Sequence, residues 1–150
     1  MNRFQFRLQS VLDYREQVEH QRELMFARAI QIVQAQQRKL MDLGEVTAEA
    51  IECMREHGRQ RVDVAALRQE GLYLASVRKR IAQAVGHLRR IENELDLARV
   101  RFIGARKDRR ALELLRETRM ADYRREADRE GQRELDEIGT HFWRGERSAG

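Results

Sequence analysis

Residues 67–112 read LRQEGLYLASVRKRIAQAVGHLRRIENELDLARVRFIGARKDRRAL, and this stretch decides the fold. Leu67, Leu74, Ile81, Leu88, Leu95 and Phe102 recur every seven residues. Val77, Ala84, Ile91, Ala98, Ala105 and Leu112 fill the complementary position. Of the fourteen positions in this repeat only Glu70 and Arg109 are polar. An apolar pair of positions sustained over more than about six heptads is the seam of a coiled coil, because it keeps one narrow stripe of a helix facing a partner helix.

Working toward the N-terminus, residues 58–63 read as a turn between two helices. Gly58 can adopt the left-handed conformation that stops a helix, and the Asp63 side chain can accept from the first free amides of the next one. Before it lies a weaker repeat, with Val11, Val18, Met25 and Ile32 at one core position and Leu8, Arg15, Arg22 and Ala29 at the other. Past Ile32 the spacing passes through Gln36 to Leu40 and Leu43, an extra four-residue step that would locally unwind a supercoil. The expected fold is all-α, an antiparallel two-helix coiled-coil hairpin. Helix 1 spans about 5–57 and helix 2 about 64–138. With a turn centred near residue 60, residue i should face residue 120 − i. Val18 would then oppose Phe102, Met25 Leu95, and Ile32 Leu88, with Arg15 and Arg22 lying over the small Ala105 and Ala98.

Beyond Leu112 no proline interrupts the chain, so helix 2 is expected to run on past the paired region to residue 138. Its last ~39 Å would be unpaired, at about 1.5 Å per residue. Between residues 106 and 134, 18 of 29 residues are charged, which leaves only a thin apolar stripe. Residues 139–150 read as a flexible tail.

Composition removes several alternatives. The 150 residues contain no proline, 37% charged side chains, 6% aromatic ones and a single cysteine, Cys53. One cysteine builds no intrachain disulfide framework, and the first 25 residues hold no apolar stretch of a signal peptide, which predicts a cytoplasmic protein. A mean hydropathy of −0.76 without an 18-residue apolar run argues against a membrane-spanning helix. Net charge is +5, from 30 basic and 25 acidic groups, but the signs interleave nearly everywhere. Nucleic acid is therefore not expected as a partner, since a phosphate-binding surface concentrates one sign.

Few residues point to chemistry. Cys53 and His57 stand four apart with Glu49 one turn back, which aligns a thiol, an imidazole and a carboxylate; with no further ligand in view, they read as an ordinary helix face ending in a capping histidine. Gly71, Gly86 and Gly104 lie within helix 2 without a preceding strand, so they form no phosphate loop and instead mark close approach or weak helix. A two-helix hairpin offers no water-excluding cleft, so no catalytic residue, metal, cofactor or small-molecule substrate is expected. Phe142 and Trp143 could anchor in a partner or lie on their own helix.

Both ends of the chain are less generic. The opening Phe4-Gln5-Phe6-Arg7-Leu8-Gln9-Ser10-Val11-Leu12-Asp13-Tyr14-Arg15 resembles that of the FliJ family of flagellar export proteins. So do Arg106-Lys107-Asp108-Arg109-Arg110-Ala111-Leu112-Glu113 and Gln132-Arg133-Glu134-Leu135-Asp136-Glu137-Ile138 near the other end. The resemblance implies a non-enzymatic component of the flagellar type III export apparatus, similar to the central stalk of rotary ATP synthases. Its implied partners are the hexameric export ATPase, an export-gate membrane protein and substrate-specific export chaperones, at the cytoplasmic side of the membrane. Phe4, Phe6, Leu8, Arg109, Arg110, Arg116, Leu135 and Asp136 are expected to face the ATPase. Tyr73, Val77 and Arg80 lie where the family's gate contact falls, although Leu74 and Val77 are also seam positions. Three readings compete: the equivalent stalk of a virulence-type secretion system, a basic coiled-coil nucleic-acid binder, and a structural coiled coil that dimerises between chains.

Overall fold

The computed structural model describes the backbone of residues 4–59 and 63–147, and the side chains of residues 4–59 and 63–139. The described chain is two helices packed against each other, α1 (Gln9–Arg59) and α2 (Val64–Arg147), with no strand among the described residues. The chain divides into two compact units: one takes Met1–Glu19 and Ala105–Gly150, the other His20–Gly104. The all-α hairpin expected from the heptads is therefore observed.

The ends of the helices differ from expectation. α1 begins at Gln9 rather than near residue 5, after a turn in which the Gln9 amide donates to the Phe6 carbonyl at 3.0 Å. Gly58 does not stop α1: no glycine in the described chain takes a positive φ, and the helix continues through it to Arg59. Asp63 does cap α2, its Oδ1 accepting from the Ala65 and Ala66 amides at 3.0 and 3.5 Å. α2 runs to Arg147 and not to residue 138, so residues 139–147 of the expected tail are helical. Gly139 weakens a helix by only about 1 kcal/mol, whereas the strong breaker, proline, is absent from the sequence.

The α2 seam is as expected. All fourteen of its positions are buried or half-buried, with Leu74, Val77, Ile91 and Ala105 forming the driest part. The α1 seam differs by one residue at its first position. Leu12, Glu19, Phe26 and Val33 are the buried or half-buried set, whereas Met25 and Ile32 are each 54% exposed and Val11 is 41% exposed. Val18 is half-buried beside Glu19. From Val33 the repeat continues through Gln36, Leu40, Leu43, Thr47, Ala50 and Met54 in alternating steps of three and four. The expected four-residue step is absent. The register read from sequence follows the apolar Val11, Val18, Met25 and Ile32 at this position, while the folded one admits Glu19, whose partner Arg109 lies within reach.

In the unit His20–Gly104, Phe26 stacks on Phe102, with ring centroids 5.9 Å apart at 15°. Phe26 thus holds the place expected for Val18. Gln36 Nε2 donates to the Ala84 carbonyl at 3.3 Å, and the Thr47 hydroxyl donates to the Leu43 carbonyl of its own helix at 2.7 Å. In the other unit Glu19 faces Arg109. The side-chain pairs Phe26 with Phe102 and Glu19 with Arg109 obey residue i against 128 − i, whereas Gln36 reaches the Ala84 carbonyl at 120 − i, so side chain meets side chain later than the expected register. Two causes shift it. The helices end at Arg59 and Val64, placing the turn slightly later than residue 60. In addition, side chains lean toward their own N-terminus, so in an antiparallel pair the residues that touch are later in both helices than their Cα heights suggest.

Candidate functional site

In the unit formed by Met1–Glu19 and Ala105–Gly150, α2 does not run on bare after Leu112. Residues 4–8 lie across it, and together with Leu115, Arg119, Asp122, Tyr123 and Glu126 they line an open groove of about 720 Å³. The Phe4 ring meets Tyr123 at 5.6 Å between centroids, tilted by 51°. Phe6 is half-buried and Leu8 is 39% exposed, so the aromatic opening stretch is seated on α2 instead of continuing the helix. This contact corrects the expectation of an unpaired helix over residues 115–126.

Next to the groove is a charge network. Arg109 donates to Glu19 and Glu113, and Arg110 donates to Glu113 at 3.1 Å and to Glu117 at 3.4 Å. Arg15 joins Asp108 at 3.0 Å. The Arg110 bond, opposed by partial burial and helped by Arg109, holds the Glu113 carboxyl below the usual glutamate range. The bond to Glu19 raises Arg109, and the bond to Glu113 raises Arg110, so both guanidinium groups stay charged at any working pH.

The eight residues expected to face the ATPase all fall in this unit, in three separate settings. Phe4, Phe6 and Leu8 line the groove. Arg109 is committed to two carboxylates within the chain and has little left to offer a partner, while Arg110 keeps 53% of its side chain exposed. Arg116 is half-buried. Leu135 is 69% exposed and Asp136 is exposed, and Ile138 adds a second open apolar side chain at 58%.

The expected gate-facing trio belongs to the unit His20–Gly104 and is split by the fold. Tyr73 is 49% exposed and Arg80 is exposed, but Val77 is 2% exposed in the seam. Val77 therefore cannot meet a partner without leaving the core. The same unit brings together Cys53, His57 and Glu70. Glu49, read from sequence as the aligned carboxylate, is not the one that converges. Glu70 was missed because its helix lies across the turn; its signal was a charged residue at an otherwise apolar seam position. The glycines Gly71, Gly86 and Gly104 mark no close approach, since a Cβ on each would meet nothing within 4 Å. Phe142 and Trp143 lie outside the residues whose side chains are described.

Among the described residues no helix is long and apolar enough to cross a membrane. No curated protein and no solved structure matches the chain. A family model described as Flagellar FliJ protein matches residues 4–148, nearly the whole chain and both of the stretches that carry the sequence resemblance. The chain therefore belongs to the FliJ family, components of flagellar protein export.

Proposed function

We propose that the chain is the non-enzymatic stalk of the flagellar type III export apparatus, binding the hexameric export ATPase, promoting its assembly and hydrolysis, and linking it to the export gate and to substrate chaperones. The family match over residues 4–148 carries this reading. The unit containing residues 4–19 and 105–147 supports its use as the ATPase-facing end: a groove edged by aromatic side chains, an exposed arginine at 110, and the open Leu135 and Ile138 on the last part of α2. Aromatic and arginine side chains are the usual anchors of a protein interface. Interleaved charge suits a shaft that must engage several similar subunit surfaces without a strong preference for one.

At the gate, Tyr73 and Arg80 are the side chains that remain available for contact, on the cytoplasmic side of the membrane. The test is the hydrolysis rate of the cognate export ATPase, titrated with the full chain and with a chain truncated after Glu130. The truncation keeps every residue that lines the groove and removes Leu135, Asp136 and Ile138. Stimulation by the full chain with a weakened response to the truncation supports the reading; no stimulation and no co-migration by either contradicts it.

A further inference from the structure

The last two turns of α1 and the second turn of α2 bring a thiol, an imidazole and a carboxylate to one point. Cys53 and His57 are four residues apart and so share a face of α1. Glu70 reaches them from α2. Cys53 Sγ lies 3.5 Å from His57 Nδ1, Glu70 Oε1 lies 3.4 Å from the same nitrogen, and the three ligand atoms all lie within 4.8 Å of one another.

These distances have a chemical meaning. A tetrahedral zinc ion with sulfur at about 2.3 Å and nitrogen and oxygen at about 2.0–2.2 Å keeps its ligand atoms about 3.3–3.6 Å apart. Two of the three edges already have that length, and the thiol–carboxylate edge closes by rotation of the exposed Cys53 side chain. Independently, Glu70 Oε2 is buried and accepts no hydrogen bond. A buried carboxylate oxygen without a donor is unfavourable unless a cation or donor satisfies the group. His57 is 57% exposed, so an ion can arrive from solvent.

We propose that Cys53 Sγ, His57 Nδ1 and the Glu70 carboxylate bind one zinc-class divalent ion, with water in the fourth position. The sulfur ligand selects the borderline and soft ions of this class over magnesium or calcium. Without metal, Nδ1–H donates to the Cys53 carbonyl at 2.9 Å as a helix-end donor; metal binding breaks that bond, the neutral imidazole carries its proton on Nε2 instead, and the thiol proton is released to water. Because the ligands come from both helices, the ion fastens α1 to α2 beside the turn and binds only the paired state. The proposal is independent of any contact with an ATPase.

The experiment is a titration of the full, reduced, tag-free chain with cobalt(II), a spectroscopic stand-in for zinc. The expected result is one ion per chain, tetrahedral visible bands, a thiolate-to-cobalt charge-transfer band, and a thermal unfolding midpoint that rises with added zinc. Cys53→Ser abolishes the charge-transfer band. His57→Gln and Glu70→Gln weaken cobalt binding by more than about 100-fold, since even outer-shell partners of a metal are worth about 10- to 100-fold. Glu49→Gln leaves binding unchanged. Circular dichroism shows that each variant remains helical, with Cys53 and His57 both exposed. No charge-transfer band, a band unaltered by both His57→Gln and Glu70→Gln, or one ion shared by two chains would overturn the site.

Discussion

The two units of the molecule hold their helices together by different means. In His20–Gly104 the contact is an apolar seam with stacked Phe26 and Phe102, and two of its polar members, Gln36 and Thr47, each donate to one backbone carbonyl. In the unit of residues 1–19 and 105–150, Leu12 and Ala105 are buried, but much of the contact is charged, from Arg15 with Asp108 to Arg109 between Glu19 and Glu113. Apolar heptads tolerate sliding by whole turns, because one leucine replaces another. A charge pair does not, since moving Arg109 away from Glu19 strands a carboxylate whose side chain is only 15% exposed. The difference teaches that polar seam residues set the register, while apolar ones supply the adhesion.

The largest effect should come from the apolar contribution. Leu12 is fully buried, so Leu12→Ala should lower unfolding free energy by about 3 kcal/mol in urea denaturation. Met25→Ala, at a position that sequence alone would place in the core, should change it by less than about 0.5 kcal/mol. Equal costs would restore the register read from sequence.

Next in size is the pin itself. Arg109→Gln should destabilise by about 1–2 kcal/mol, as it leaves Glu19 unpaired in a mostly covered position. The exchange Arg109→Glu with Glu19→Arg should recover part of that loss. A double variant no better than the sum of its parts would mean that the two side chains do not face each other.

A gain of about 0.5–1 kcal/mol is expected from Gly86→Ala, because the added methyl meets nothing within 4 Å and removes the helix penalty of glycine. A loss would reveal a close approach at that point.

The smallest effect is one of pH. Glu113 has its carboxyl below the ordinary value of about 4.3 in the folded chain, so its pairing stabilises above that pH and is lost as acid takes the pH through the lowered value. With Arg110 half-exposed, the contribution should stay below about 0.5 kcal/mol. Glu113→Gln should flatten the acid limb of stability below about pH 4.3 by that amount.

The α2 seam was fully legible because each of its core positions is filled by the residue type that the heptad rule seeks. The α1 seam was not. Glu19 looks like an outward residue until Arg109 is placed beside it. Periodicity carries no information about a partner on another helix. The same reason hid Glu70 from the Cys53–His57 pair, and hid the seat of Phe4 on Tyr123, where an extended segment covers a helix that looked unpaired. Helix ends were misjudged at Gly58 and Gly139, because a glycine permits a stop without requiring one.

The most direct test of the functional account sets the two units against each other in one assay. Stimulation of the cognate export ATPase is measured with the chain carrying Arg110→Glu and Arg116→Glu, and separately with Tyr73→Ala and Arg80→Glu, both checked for helicity. The account predicts that the first pair loses stimulation and the second retains it. Retention by the first pair with loss in the second would contradict the placement of the ATPase contact on the unit that holds the N-terminal groove.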